Sequence, residues 1–496
     1  MSNKRAYFLD PFGCVKNQVD AENMMAHLNN AGWENVIDAE QANLIIVNSC
    51  GFIESAKRES IDAVLGWRSL YPEKKIILAG CLSRRYAKEL PEILPEADGI
   101  TGVEHPAQII GAAVKVGFGK PALRNVQRLR ENCSVEPRKA GAQTRLPPGE
   151  RPLLSLPGSA YVKISDGCSN CCSYCAIPLI RGALVSRAIP DIIEECGALL
   201  NRGVKELCII GQDVGSFGYD FYEESSLESP YGDAEEKKRG LPELLEAISA
   251  LEGSFWVRLL YIHPDHFPLQ ILDIMEKDER FLPYFDIPFQ HASQKILAAM
   301  NREGSAEKYL ALLETIRGRL PHAALRSTFL LGFPGETEED FAALLDFQEK
   351  AKLDWLGCFT YSREEGTAAY IMKERVPAKI AEARKQIIEE RQIPITEKNM
   401  DRFTGKIFKV LIEEKIDPPP DAKHEDSCPD AAAETLWLGR LYCQAPDIDG
   451  AAVVHGGRPA ENSEEKNPQP GVFADCKVSA RRGFDLEARL LFHKAG

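Results

Sequence analysis

Three closely spaced cysteines constrain this chain more than any other feature. Residues 164–181 read ISDGCSNCCSYCAIPLIR, and Cys168, Cys172 and Cys175 within them have the spacing C-x3-C-x2-C. Three thiolates that close can hold three corners of a [4Fe–4S] cluster. Such clusters ordinarily take four cysteines, so three leave one iron open to a substrate or cofactor. A structural zinc site is the alternative, because a C-x2-C pair is a common zinc knuckle. Zinc would want a fourth ligand at a second knuckle, and no C-x2-C or H-x3-H partner follows. Cys171 fits no position of the pattern and reads as a spare thiol.

The chain has 496 residues, enough for about three domains. No apolar run approaches the ~18 residues of a membrane span, and the start, MSNKRAYFLDPFG, lacks the apolar core of a secretory signal. These features predict a cytoplasmic protein away from membranes. There the fourteen cysteines stay reduced and free to act as ligands. A net charge of −14 argues against a general nucleic-acid binder and suits a basic protein partner.

Residues 1–125 alternate strands and helices. Strands are expected at Ala6–Leu9, Leu44–Val47 and Lys75–Ala79, each followed by a Gly/Cys turn and a helix. That order predicts a doubly wound parallel sheet, whose binding crevice lies at the carboxyl ends of its strands. Cys14, Cys50 and Cys81 each follow a strand, so all three emerge at that edge. One such cysteine would more often be a small buried hydrophobe. Three at equivalent places, each beside a glycine, favour a second cluster, again with an open iron.

Residues 126–157 are rich in Arg, Lys, Pro and Gly and read as a linker with a solvated, positively charged surface. Cys133 within it has no expected role. Strand–helix alternation returns over residues 158–400, with six or so βα units that suit a full or partial TIM-like barrel. The Cys168 loop follows its first strand, where such barrels place their sites. Polar or glycine residues fall at later strand ends: Gln212 and Asp213, Gln290 and His291, Arg326, and the turn Gly332-Phe333-Pro334-Gly335-Glu336-Thr337. Glycine there lets backbone approach a flat ligand such as adenine. Equally, Thr337 suits a helix N-cap, and His291 a buried structural histidine. Cys196, Cys208 and Cys358 read as core.

Residues 401–496 suggest a small OB-like β-barrel, with strands at Lys406–Glu413, Ala474–Ser479 and Gly483–Leu491. Acidic, Pro-rich insertions interrupt it at Pro418–Glu434 and Pro459–Pro470, and Cys428 in the first is not expected to be a ligand. From residue 402 on there are 13 Lys/Arg against 16 Asp/Glu, an unusual balance for an RNA-binding barrel.

These motifs carry a family resemblance. Gly13–Asn17 (GCVKN), Asn48–Ala56 (NSCGFIESA), Gly80–Ser83 (GCLS) and the Cys168 loop resemble the radical S-adenosylmethionine (radical-SAM) methylthiotransferases, which insert CH3S into unactivated C–H bonds. The C-terminal segment resembles their TRAM module. Gly51–Lys57, Ile164–Cys168, Tyr361–Thr367 (YSREEGT) and Ala445–Gly450 (APDIDG) are closest to the branch that modifies an aspartate of the twelfth small-subunit ribosomal protein. The resemblance implies two [4Fe–4S] clusters. One, on Cys14, Cys50 and Cys81, holds the sulfur that one S-adenosylmethionine methylates. The other, on Cys168, Cys172 and Cys175, cleaves a second molecule to a radical that removes hydrogen from the aspartate β-carbon. It further implies a cofactor site at Gln212, Asp213, Gln290, Arg326, Gly332 and Gly335. The expected partners are the ribosomal protein and a low-potential electron donor such as flavodoxin or ferredoxin, with no direct nucleic-acid substrate. The tRNA-adenosine branch of the family and a non-catalytic iron–sulfur sensor or electron carrier remain as alternatives.

Overall fold

The protein is described by a computed structural model over residues 5–102, 105–118, 151–221, 240–416, 435–456 and 467–491. The N-terminal sheet holds β1 (Ala6–Pro11), β2 (Glu34–Asn35), β3 (Leu44–Ser49), β4 (Lys75–Gly80) and β5 (Gly99–Ile100), all parallel, in the order β2-β1-β3-β4-β5. Helices cover both faces, so β3 is buried along its whole length and reads as an unbroken apolar run. Ile46 and Ile77 face one helical layer with Met24 and Leu28, while Ile45 and Leu78 face the other with Val64. The doubly wound arrangement brings β1, β3 and β4 side by side.

The central unit holds β6 (Ser159–Lys163), then the short pair β7 (Ser165–Asp166) and β8 (Val185–Ser186). Next come β9 (Glu206–Ile210), β10 (Trp256–Leu259), β11 (Phe281–Asp286), β12 (Ala324–Leu331) and β13 (Trp355–Thr360). Its six-stranded parallel sheet runs β13-β12-β11-β10-β9-β6, the partial rather than the full barrel. Alternation along each strand separates two faces. Val162, Leu207, Val257, Phe285 and Phe329 pack on the helices. Tyr161, Cys208 and Tyr284 face inward.

The C-terminal strands β14 (Ile407–Ile416), β15 (Leu436–Arg440), β16 (Ala452–His455), β17 (Phe473–Arg482) and β18 (Asp485–Leu490) form a closed barrel, β14-β15-β16-β18-β17. Two of these, β15 and β16, escape the sequence reading because they are short and lack clean alternation. Of the expected insertions, residues 418–434 and 459–466 lie outside the described residues, as do Cys133 and Cys428. Trp437, Val410 and Cys443 of the barrel share one core with Trp256, Ala324 and Trp355, each the first residue of its strand. The small barrel therefore plugs the amino-terminal end of the central sheet and leaves the carboxyl ends to the N-terminal domain.

One expectation needs correction. Residues 119–150 of the linker are not described, but Arg151 is no solvated surface residue. It is buried, pairs with Glu22 at 2.6 Å and Glu195 at 3.0 Å, and donates to the Tyr161 carbonyl, so it joins the first two domains. Among the described residues no helix is long and apolar enough to cross a membrane.

Candidate active site

Cys14, Cys50 and Cys81 stand at the carboxyl ends of β1, β3 and β4. Close approach of the three turns depends on glycine: a Cβ at Gly51 would lie 2.8 Å from backbone atoms of Cys81 and Leu82. Asn17 ties the turns together, its Nδ2 donating to the Phe12 carbonyl at 2.6 Å and the Ser49 carbonyl at 3.2 Å. Desolvation alone would raise the Cys14 thiol, but Lys16 and Arg181 bring it below its ordinary value. Burial raises Cys50 and pushes Cys81 up to about 12, against the pull of Arg181.

Cys168, Cys172 and Cys175 lie on the loop that follows β7. Its backbone is anchored by Cys168 N–H to the Gly182 carbonyl and Ser173 N–H to the Met300 carbonyl. Asn170 donates to Asp213 at 2.9 Å. Burial pushes Cys168 up to about 11 and Cys175 to about 12, and raises Cys172, whose Sγ lies 4.0 Å from His263 Nε2. Cys171 has φ +52° and is exposed, with its thiol on the Ser169 carbonyl, as a spare thiol should be.

The two sets are candidates for cluster ligands. Among the described residues no three His, Cys, Asp or Glu side chains gather tightly enough to hold one metal ion. Because only thiolates ligate, assembly on Cys50, Cys81, Cys168, Cys172 and Cys175, which burial keeps protonated, must release protons.

The two sets meet. Helix Ile177–Arg181 continues directly from the Cys168 loop, and its Ile180, with Ala176, packs on Cys81. Arg181 donates to Cys81 Sγ at 3.2 Å and pairs with Asp20 at 2.8 Å and Asp166 at 3.0 Å. Lys163 joins the same two carboxylates. Below lies the inner face of the central sheet, where Arg326 pairs with Asp286 at 2.8 Å and approaches Asp449 at 3.6 Å. Lys16 reaches down from the Cys14 turn, its ammonium 3.0 Å from the Tyr261 ring centroid. Burial pushes that ammonium down to about 8 despite the nearby Cys14 and Asp286. None of Arg181, Lys163, Asp20, Asp286 or Tyr261 was singled out from sequence. Arg326 and the motifs GCVKN, ISDGC and APDIDG, which contain Lys16, Asp166 and Asp449, pointed here.

The other expected contacts separate. Asp213 is buried and saturated. It accepts from Asn170, Ser216, Gly215 N–H and His263 N–H, and meets His266 at 2.8 Å. Burial would raise its carboxyl, but His266 and the other donors hold it well below the usual range. It therefore positions the Cys168 loop and the β10 end, with half-buried Gln212 beside it. Gln290 has φ +67° and bridges to β12 through its backbone, a bent strand end. His291 is fully buried, accepts from Ser293 N–H at 3.0 Å, and is lowered to about 4 by burial, as a structural histidine would be. Thr337 caps helix Glu338–Ala351 in a capping box with Asp340. Gly335 donates its N–H to the Glu374 carbonyl.

Gly332 has a packing reason of its own. A Cβ there would lie 2.4 Å from the Ala381 Cβ, at φ +74°. Gly332→Ala should lower stability by about 1–3 kcal/mol in denaturant unfolding. Weaker S-adenosylmethionine binding at unchanged stability would instead assign Gly332 to the cofactor.

Residues 6–102 match the model described as uncharacterized protein family UPF0004, residues 162–347 the radical SAM superfamily, and residues 404–491 the TRAM domain. The ribosomal protein uS12 methylthiotransferase RimO of Treponema denticola is 45% identical over 97% of this chain and 99% of its own. The chain belongs to this methylthiotransferase family. Proteins of the same name from Thermotoga maritima (37% identity, 90% of this chain and 92% of theirs) and Clostridioides difficile (35%, 98% and 99%) are similar throughout. This methylthiotransferase is thus a radical-SAM enzyme whose cofactors are [4Fe–4S] clusters and S-adenosylmethionine. In its three-part architecture the two cysteine sets come from the first two matched regions, and the third closes the far end of the site.

Proposed function

We propose that this enzyme inserts a methylthio group at the β-carbon of an aspartate in the ribosomal protein uS12. The observation that carries the reading is the junction of two three-cysteine sets across helix Ile177–Arg181. Methylthio insertion at an unactivated carbon needs a sulfur donor and a radical generator within reach of one substrate atom. Cys14, Cys50 and Cys81 would hold the first cluster, and Cys168, Cys172 and Cys175 the second. When bound, the clusters and S-adenosylmethionine supply the electron, the methyl group and the hydrogen-abstracting radical.

The chain's own residues build the chamber. Asp213 and Asn170 hold the Cys168 loop in one shape. Arg181 brings positive charge to Cys81 and shares Asp20 and Asp166 with Lys163, so the wall between the two sets is charge-balanced. The C-terminal barrel covers the amino-terminal end of the central strands and keeps water out from below. Gln212, Gln290, Gly332 and Gly335 stay candidates for cofactor contacts at the opposite rim, and Arg326 on the inner face. A cytoplasmic low-potential donor, flavodoxin or ferredoxin, would supply electrons. The acidic C-terminal region supports a basic protein substrate over tRNA.

Mass spectrometry of uS12 from a strain lacking this gene should show loss of the added CH3S mass. Persistence of that mass would overturn the substrate assignment.

A further inference from the structure

We infer that the Lys16 ammonium receives the side-chain carboxylate of the aspartate that is modified, and so makes the site selective for aspartate. The inference rests on the uS12 reading above and names the group that recognises its target. Lys16 is only 6% exposed. Other cations of the two domains, Lys163, Arg181, Arg258 and Arg326, each have a carboxylate within 3.0 Å. Lys16 has none within 4.0 Å among the described residues; its ammonium stands over the Tyr261 ring, with Cys14 and Asp286 acting on it only from a distance. A desolvated ammonium calls for hydrogen-bond acceptors as well as opposite charge, and among the described residues neither Cys14 nor Asp286 hydrogen-bonds it.

Its place gives the missing partner a chemistry. Lys16 follows Cys14 by two residues and overhangs the carboxyl ends of β10 and β11, between the sulfur-holding set and the inner face. One ammonium matches one singly charged carboxylate. A second unmet atom lies in the same region: Asp286 Oδ2 is buried without a hydrogen-bond donor among the described residues, while Oδ1 is taken by Arg326. One cation plus one free acceptor suits an aspartyl residue, whose carboxylate takes the first and whose peptide N–H takes the second. Anchoring the carboxylate limits rotation about the Cα–Cβ bond and presents the β-hydrogens in a fixed direction.

The test uses the anaerobically reconstituted full chain and fluorescent peptides carrying the uS12 target sequence with either Asp or Asn at the modified position. Anisotropy should show the wild type binding the Asp peptide roughly ten- to a hundredfold more tightly than the Asn peptide, the range of a charge-assisted contact. Lys16→Met should bind both at the Asn level, with iron content and S-adenosylmethionine affinity unchanged. Lys16→Arg should keep most of the preference. Full Asp preference in Lys16→Met would overturn the inference and leave the substrate reading standing. So would loss of the preference in both variants together with loss of iron, which would make Lys16 a structural support of the Cys14 turn. A wild type that neither binds nor modifies the Asp peptide would overturn the substrate reading itself.

Discussion

Replacing Cys168, Cys172 and Cys175 together by alanine will lower the iron of the anaerobically reconstituted protein from about eight to about four atoms per chain, the content of one four-iron cluster. It will also abolish reductive cleavage of S-adenosylmethionine. The two sets touch through Cys81 and helix Ile177–Arg181, but each also has supports of its own. Cys14, Cys50 and Cys81 sit on adjacent strands of the N-terminal sheet, whose cores exclude the central domain. The Cys168 loop is pinned by its own backbone and by Asn170 on Asp213, so truncating three thiols leaves its path intact. The converse variant, alanine at positions 14, 50 and 81, should retain about four irons and still cleave S-adenosylmethionine, but transfer no sulfur. A wild type with about four irons that falls to none in the first variant would make Cys14, Cys50 and Cys81 structural. The methylthiolation reading would then lose its sulfur-holding site. The readouts are iron and sulfide analysis and release of 5′-deoxyadenosine.

The cysteines were legible for a simple reason. Cys168, Cys172 and Cys175 are close in sequence, and Cys14, Cys50 and Cys81 follow recognisable strands of a parallel sheet whose topology sends every such turn to one edge. Lys16, Asp20, Lys163, Asp166 and Arg181 were not legible as a group. Their pairings join residues as far apart as 20 and 181, and no local period marks a charge that will be buried. Gly332 and Gly335 show how ambiguous a glycine is as a site signal. Glycine meets close backbone approach of any origin, and at Gly332 the approaching body is Ala381 of the long helix Ala378–Met400. Asp213 was found for its position, but its saturated carboxylate gives it a positioning role. The strands β15 and β16 were hidden because a barrel strand of four or five residues owes its pairing to neighbours far along the chain.

Removing the carboxylate of Glu206 will have the largest effect on stability of any single change predicted for this chain. Glu206 begins β9, is fully buried, and accepts from Arg258 Nε at 2.7 Å, from Arg440 Nη2, and from Ser159 Oγ at 2.8 Å. Arg440 comes from the C-terminal barrel and also pairs with Glu413 at 2.7 Å, so one carboxylate fastens that barrel to the central sheet. Glu206→Leu leaves two buried guanidinium groups with one carboxylate between them. Breaking a buried pair in this way costs about 3–5 kcal/mol, which should appear as a lower denaturation midpoint and as protease cleavage near residue 401. Replacing Arg258 and Arg440 by methionine and Glu413 by leucine in the same variant should recover much of the loss, because an apolar set of similar volume no longer strands a charge, whereas keeping Glu413 would leave its carboxylate without Arg440. The same contact has a pH signature. Burial would raise the Glu206 carboxyl, but Arg440 and Arg258 outweigh it and bring it from 4.5 to about 2. A lowered folded value means the contribution is complete above about pH 4.5 and fades as the pH falls towards 2. The wild type should therefore lose more stability across that interval than the variant in which Glu206, Arg258, Arg440 and Glu413 are all apolar. Equal acid sensitivity in the two proteins would show that Glu206 does not fasten the barrel.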